Sequence, residues 1–242
     1  MQLYEYDREL RICLFESLTE IEVAIRALLG YELGQIDPLI YLEAERMGVR
    51  AIQYPRRPKG DNKPLKTKHE LWIKRFNMVK DASKEAFVEH HIKKYKGKMP
   101  IWAAVEIMDW GLLSHLYGMC PNSVRKAIAK RCGLSSPQLE SWLKSLNVAR
   151  NYSAHHARMY NRVYTIKPKF PQDEAWDGLR LKSNKIFAII AITVYFSRML
   201  GVSSGEHFPV LLKRFPRSTR AMEHTMGLPT QWEKYLEIAP GP

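Results

Sequence analysis

Cysteine is scarce in this chain, and its scarcity excludes two kinds of small-protein scaffold. Only Cys13, Cys120 and Cys132 occur among 242 residues, and no Cys-x-x-Cys pair is present. An odd number of cysteines without paired spacing argues against a disulfide framework and against a zinc knuckle. We therefore expect a protein of the cytoplasm, where thiols stay reduced.

Long hydrophobic runs are missing as well. The most apolar stretch, residues 186–196, is 11 residues long, whereas a membrane span needs about 20 residues. This stretch predicts a buried helix within an apolar segment from Asn184 to Leu200. The first residues, 1–8, carry charge where a signal peptide needs an apolar core. We expect no membrane association.

The alternation of apolar and polar residues that marks a β-strand is also absent, whereas spacings of three and four are common. The chain is therefore predicted to be all-α, a helical bundle that forms a single domain over residues 1–242. Two segments interrupt the pattern: a basic, exposed loop at 53–68 and an irregular connector at 167–178, both rich in proline.

Helix boundaries follow from local signals. Residues Leu3–Leu29 predict a first helix that ends near Gly30 and Gly34. Ser136 and Pro137 predict the start of a helix that runs past Arg150. Tryptophans at helical spacing are more typical of a core than of base-stacking platforms; they are Trp102, Trp110 and Trp142.

Acidic residues are too few to balance the basic ones. Lys and Arg number 38 against 25 Asp and Glu, a formal net charge of +13. Such an excess favours a polyanionic partner, and nucleic acid is the commonest one. In the loop at 53–68, Arg56, Arg57 and Lys59 are predicted to contact a phosphate backbone. The alternative is that this loop is only a solvated insertion.

One segment, 139–162, combines an apolar stripe with a polar one. On an ideal helix, Asn151, His155, Arg158 and Arg162 lie within about 60° of each other. Arg150 lies nearer the apolar stripe, so its side chain would reach round to His155, or the helix would distort or end there. The apolar stripe consists of Leu139, Trp142, Leu143, Leu146 and Ala149.

The polar stripe suits phosphodiester chemistry in RNA. A histidine exchanges protons near neutral pH, and arginines bind phosphate in a forked geometry. The alternative is an ordinary solvated helix face. No cluster of His, Cys, Asp or Glu has metal-ligand spacing, because adjacent His90 and His91 diverge by about 100° on a helix. We expect neither a metal nor another cofactor.

The run Arg150-Asn-Tyr-Ser-Ala-His155 resembles the Arg-polar-x(n)-His motif of HEPN ribonucleases. With its extension to Arg162 it is similar to the Abi family of bacterial abortive-infection proteins, in particular the AbiD/AbiF group. Three other segments resemble this family in the right order. They are Tyr4–Arg11 leading to Ile21–Arg26, then Glu85–Tyr95, then Pro100–Glu106 with Gly111.

This resemblance implies an all-α, HEPN-type helical bundle with additional peripheral helices. It also implies a phage-defence role and metal-independent RNA cleavage at a composite site in a homodimer. A partner non-coding RNA is a further expectation. The alternatives are a catalytically silent, RNA-binding HEPN module that scaffolds or senses RNA, and a helical DNA-binding regulator.

Roles are carried over from the family by position. His155 would be the general base or acid, Arg150 would clamp the phosphate and Asn151 would orient the site. His156 is the second-choice histidine, and Asn161 would cap or brace the helix end. The residues expected to contact RNA, besides the three in the loop, are His156, Arg158, Asn161 and Arg162.

Overall fold

The structure is a computed structural model that describes residues 2–56, 64–202, 204–216 and 222–238. Within these ranges every regular element is helical and no strand occurs, so the predicted all-α class is confirmed. That the bundle is of the HEPN type stays a prediction. The α-helices are α1 (Gln2–Gly34), α2 (Lys68–Ala82), α3 (Ala86–Tyr95), α4 (Ile101–Ala104), α5 (Trp110–Met119), α6 (Asn122–Arg131), α7 (Ser136–Ala154), α8 (Asp177–Leu181), α9 (Ile186–Leu200), α10 (Phe208–Lys213), α11 (Met222–Thr225) and α12 (Glu233–Leu236).

The chain divides into two compact units, which we describe separately. Unit 1 comprises residues 1–24 and 129–242, and unit 2 comprises residues 25–128. Whether all 242 residues act as one domain stays a prediction. None of the helices in the described ranges is long and apolar enough to cross a membrane.

In unit 1, α9 packs against α7 and α12 at the centre of the core. Its residues 186–197 are all buried, as predicted for the most apolar stretch. The indole ring of Trp142 lies 5.5 Å, centre to centre, from the rings of Trp176, Tyr195 and Phe196. Burial of this aromatic cluster stabilises the unit through the large apolar area that each ring removes from water.

The connector predicted at 167–178 is irregular only in its first part. Residues Glu174–Trp176 form a 3-10 helix and α8 begins at Asp177. The connector is pinned to α7 because the indole N–H of Trp142 donates to the carbonyl oxygen of Lys169 at 2.8 Å. Phe170 and Trp176 are both buried.

In unit 2, α1 ends at Gly34, the second of the two glycines predicted to mark its end. Both glycines serve close packing against α4. A Cβ atom on Gly30 would lie 3.3 Å from the Cα atom of Trp102, and one on Gly34 would lie 3.1 Å from its indole ring. Trp110 and Trp142 are buried as predicted, but Trp102 is 53% exposed, so the prediction of a core residue was wrong there.

The loop predicted at 53–68 is closed at its base. The backbone N–H of Lys68 donates to the carbonyl of Gln53 at 2.8 Å, and that of His69 donates to Ala51 at 3.0 Å. Thr67 and Glu70 form a capping box, which starts α2 at Lys68. Arg56 is exposed, whereas Arg57 and Lys59 lie outside the described residues.

Candidate functional site

Helix α7 carries the motif and begins where the sequence predicts. The backbone N–H of Ser135 donates to Oε1 of Gln138 at 2.8 Å, the return half of a capping box, and Pro137 occupies the first turn. The predicted apolar stripe is confirmed, because its five residues are each at most 1% exposed. Arg150 and Asn151 therefore lie on the last turn of a helix whose other face is fixed in the core.

Helix α7 runs past Arg150, as predicted, and ends soon after it, which is one of the alternatives that the sequence leaves open. The helix stops at Ala154, and His155 is its C-cap residue with φ −98° and ψ 23°. His156 follows in the left-handed conformation with φ +54°. The N–H of Ala157 donates to the carbonyl of Tyr152 at 2.9 Å, the six-to-one hydrogen bond of a Schellman motif. The four-residue polar stripe therefore does not form on one continuous helix.

A buried carboxylate on α1 sets the path of the chain after this cap. Oδ1 of Asp7 accepts from the backbone N–H of Met159 at 3.0 Å and from that of Tyr160 at 2.6 Å. The other oxygen of Asp7 pairs with the guanidinium of Arg11, and both side chains are buried. Met159 is fully buried. Because these contacts hold residues 159–160 against α1, the segment cannot continue as a helix.

The position of Arg150 is defined by a second buried acid of α1. Its Nε atom lies 3.7 Å from Oε2 of Glu22, an ion pair slightly longer than a hydrogen bond. Glu22 is only 5% exposed, whereas the side chain of Arg150 is 30% exposed. The guanidinium also lies 6.0 Å from the ring centre of Phe15. Glu22 thus holds Arg150 from the protein side while part of the guanidinium still faces solvent.

The remaining motif residues project from the cap and the turn after it. Asn151, His155, His156, Arg158 and Asn161 are exposed. Asn161 has φ +50°, a conformation that asparagine tolerates better than most residues. It lies seven positions after the helix end, so the prediction that it caps this helix was wrong.

Arg162 is less available than the other predicted RNA contacts that the structure describes. Its Nε donates to the carbonyl of Arg158 at 2.5 Å. Its guanidinium carbon lies 4.2 Å from the ring centre of Tyr152, which is cation–π distance. The structure therefore joins Arg162 to Arg158 and to α7, but through backbone and ring contacts rather than through a shared helix face.

The surroundings of the motif contain tyrosines but no metal site. Burial raises the pKa of Tyr164 and that of Tyr6 above the ordinary value. Across the described residues, no group of three or more His, Cys, Asp or Glu side chains is arranged to hold a metal ion.

Asp7 and Glu22 are the functional candidates that the sequence interpretation did not assign. Both lie in the segments that resemble the family, Tyr4–Arg11 and Ile21–Arg26. The spacing of Asp7 and Arg11 predicts an i,i+4 pair, but no local pattern predicts a contact with residues more than 150 positions away.

A family model described as Abi-like protein matches residues 1–161. The chain belongs to the Abi-like family. A search of curated proteins found no match, and neither did a search of solved structures. The Abi-like match ends at Asn161, one residue before Arg162, where the sequence resemblance also fades. It therefore includes Asp7, Glu22, the whole of α7 and the Arg150–His155 run.

Membership of the Abi-like family supports the expected role in abortive-infection phage defence. The match does not assign the chain to the AbiD/AbiF group, and it names no activity.

Proposed function

We propose that this Abi-like protein is a metal-independent endoribonuclease of an abortive-infection system. The observation that carries the proposal is the end of α7, where an arginine held by a buried glutamate precedes an exposed histidine at the helix cap. Glu22 fixes one side of Arg150 at 3.7 Å, and His155 is open to solvent. Acid–base RNA cleavage requires at least a cation for the phosphate and an imidazole that can reach it, and this helix end supplies one of each.

The proposed reaction is transfer of the phosphodiester to the neighbouring 2′-hydroxyl. His155 accepts the proton of that hydroxyl, its oxygen attacks phosphorus, and the bond from phosphorus to the 5′-oxygen breaks. The departing oxygen takes up a proton, which leaves a 2′,3′-cyclic phosphate on one product and a 5′-hydroxyl on the other. Arg150 offsets the negative charge that grows on the phosphate oxygens. Asn151, on the same turn, would orient the scissile group.

A homodimer would complete the site. One chain supplies one Arg150 and one His155, whereas the reaction uses a base for the attacking oxygen and an acid for the leaving one. A twofold axis through the α7 end would bring a second copy of both residues without new sequence. The exposed Arg158 and the +13 charge would hold the RNA strand. A partner non-coding RNA would be held by the same charge.

A second candidate is a silent RNA-binding module. It is favoured by the early end of α7, because that end removes His155 from the predicted stripe while Arg158 stays exposed. Such a module would bind RNA through charge and leave it intact.

One experiment separates the two candidates. The purified protein is incubated with end-labelled RNA in excess chelator, beside a matched RNA carrying a single 2′-deoxynucleotide at the mapped cleavage site. We expect cleavage of the first substrate only, with 2′,3′-cyclic phosphate ends, because self-attack needs the hydroxyl. Cleavage of the deoxy substrate, or a requirement for added Mg²⁺, would overturn the mechanism. Tight binding without cleavage would favour the silent module.

A further inference from the structure

Unit 2 carries an open groove beside α3, to which neither the family match nor the proposed reaction assigns a role. Its aromatic wall consists of His90, His91 and Tyr95 of α3. The rest of its lining consists of Lys98, Pro100 and the segment Pro38–Leu39. The cavity measures about 530 Å³, within the size range of small-ligand sites. We call it the α3 groove.

The aromatic wall of the α3 groove is preassembled. The ring of Tyr95 lies 5.7 Å from that of His90 and 5.5 Å from that of His91, centre to centre. His91 is held in turn because its Nδ1 lies 2.7 Å from the carbonyl oxygen of Phe87. Tyr95 is nevertheless 48% exposed. The ring planes are tilted against that of Tyr95, by 64° for His90 and by 40° for His91, so the exposed ring of Tyr95 is the surface on which an unstacked base would stack.

The segment Pro38–Leu39, which completes the lining, is also held in place. The backbone N–H of Ile101 donates to the carbonyl of Pro38 at 2.7 Å, which ties the two sides of the groove together. Oδ1 of Asp37 accepts from the N–H of Leu39 at 2.6 Å, and Oδ2 pairs with Arg46 at 2.8 Å. The groove is therefore part of the fold rather than a gap between loose segments.

The charge around the groove favours an anionic ligand. Between positions 84 and 98 the chain has five lysines and two glutamates. One of these glutamates, Glu89, is neutralised by Lys93 at 2.5 Å. Lys94 and Lys98 are exposed, and the ammonium of Lys94 lies 5.7 Å from the ring centre of Tyr95. One cation over the Tyr95 ring and a second exposed lysine nearby match a chain of phosphates that carries unstacked bases.

We propose that the α3 groove binds single-stranded RNA by stacking a base on Tyr95, whose ring the two histidines support from the side, with Lys94 and Lys98 contacting the adjacent phosphates. The inference rests on the proposed function only for the class of ligand. It adds a second RNA-binding site, in unit 2, that holds substrate or partner RNA independently of the residues at the α7 end.

The test measures binding to an oligoadenylate in which every 2′-hydroxyl is methylated, so that the proposed cleavage cannot occur. Fluorescence anisotropy compares the wild-type protein with Tyr95→Ala, Tyr95→Phe and the control Tyr4→Ala, which removes a tyrosine that is 70% exposed elsewhere. We expect Tyr95→Ala to raise the Kd roughly 5- to 100-fold, the effect of losing one stacked base. Tyr95→Phe and Tyr4→Ala should stay within about twofold of wild type, because both keep the ring at position 95.

A second ligand separates the contribution of base stacking to RNA affinity from the contribution of the phosphates. An abasic oligonucleotide of the same length should bind wild type and Tyr95→Ala equally, because it offers phosphates but nothing to stack. The proposal would be overturned if wild type and Tyr95→Ala bound the oligoadenylate with equal Kd values. It would also be overturned if Tyr95→Ala lost the same affinity for the abasic oligonucleotide as for the oligoadenylate. So would a change in sedimentation of Tyr95→Ala without a change in RNA binding, since that result indicates a protein partner or a second copy in the groove.

The two proposals fail separately. If the protein cleaves ordinary RNA and its Tyr95→Ala variant binds RNA with wild-type affinity, the groove proposal is wrong and the ribonuclease proposal stands. If the protein cleaves no RNA but Tyr95→Ala weakens RNA binding, the groove proposal stands and the ribonuclease proposal is wrong.

Discussion

At the scale of single residues, two buried acids on α1 organise the motif. Glu22 contacts the side chain of Arg150, and Asp7 contacts the backbone after His155. Neither is exposed to a bound strand, since they are 5% and 6% exposed. We therefore expect both to act by positioning: Glu22 orients the guanidinium of Arg150, and Asp7 holds the turn that follows His155.

The first prediction concerns Glu22. Replacing it as Glu22→Gln removes the charge that orients Arg150, and we expect the single-turnover rate of RNA cleavage to fall about 10- to 100-fold, since small misplacements of a reacting group cost up to about that much. The affinity for uncleavable RNA should change less than threefold, because surface charge dominates binding. The matched control Glu16→Gln, on the exposed side of α1, should keep the wild-type rate. A fall in affinity equal to the fall in rate would contradict a positioning role.

The second prediction concerns Asp7. Asp7→Ala leaves the buried guanidinium of Arg11 and two backbone N–H groups without their acceptor. We expect a loss of roughly 3–5 kcal/mol in the free energy of unfolding, the usual cost of breaking a buried ion pair. Urea denaturation measures it, with Glu5→Ala as the exposed control expected within about 0.5 kcal/mol of wild type. Equal stability of Asp7→Ala and wild type would show that the Asp7 contacts do not hold this segment.

At the scale of elements, α7 shows what sequence periodicity predicts well and where it stops. The start at Ser136 and the buried stripe follow from local signals: a capping residue, a proline in the first turn and apolar spacings of three and four. The end does not. Nothing between Arg150 and Arg162 breaks a helix by propensity alone, and the deciding contact comes from Asp7, near the other end of the matched segment.

The glycines of α1 and the exposure of Trp102 in α4 likewise depend on long-range contacts that local sequence signals do not show. Gly30 and Gly34 suggest a helix end because glycine disfavours helices. Gly34 is the last residue of α1, but Gly30 lies within the helix, and the missing side chains of both admit Trp102. That requirement depends on a contact about 70 positions away along the chain. The exposure of Trp102 was missed for the same reason, because spacing shows which face a residue shares and not how much of the ring a neighbour covers.

The third prediction tests this packing. Gly30→Leu places a side chain where even a Cβ atom would be 3.3 Å from the Cα atom of Trp102. We expect a loss of about 1–3 kcal/mol in the free energy of unfolding, because overpacking outweighs the gain in helix propensity. Ala27→Leu, an exposed position on the same helix, should be neutral within about 0.5 kcal/mol in the same urea titration. A stabilised Gly30→Leu variant would show that α1 and α4 have room to separate.

At the scale of the whole molecule, charge and stoichiometry decide how the site would work. The net charge of +13 favours RNA but opposes the gathering of several arginines and histidines in one cleft. A dimer formed at the α7 end must therefore be held by apolar surface beside the motif, or by the anion between the two copies. Sulfate, phosphate or RNA would then strengthen association.

The fourth prediction follows from that arrangement. Sedimentation velocity should show the dimer fraction rising when uncleavable RNA or sulfate is added at constant ionic strength. Mixing Arg150→Ala with His155→Ala chains should restore cleavage that neither variant has alone, because a mixed dimer contains one intact copy of each residue. A monomer that cleaves RNA at the full rate would exclude a composite site.

The central claim is that His155, at the cap of α7, performs the proton transfer in RNA cleavage. The most direct test is the single-turnover cleavage rate of His155→Ala, with His156→Ala as the matched control one position along the same turn, and with RNA affinity measured on both variants. The account predicts that His155→Ala loses cleavage by at least about 100-fold while its affinity stays within about twofold, and that His156→Ala cleaves at close to the wild-type rate. Undiminished cleavage by purified His155→Ala, or loss of cleavage only in His156→Ala, would contradict it.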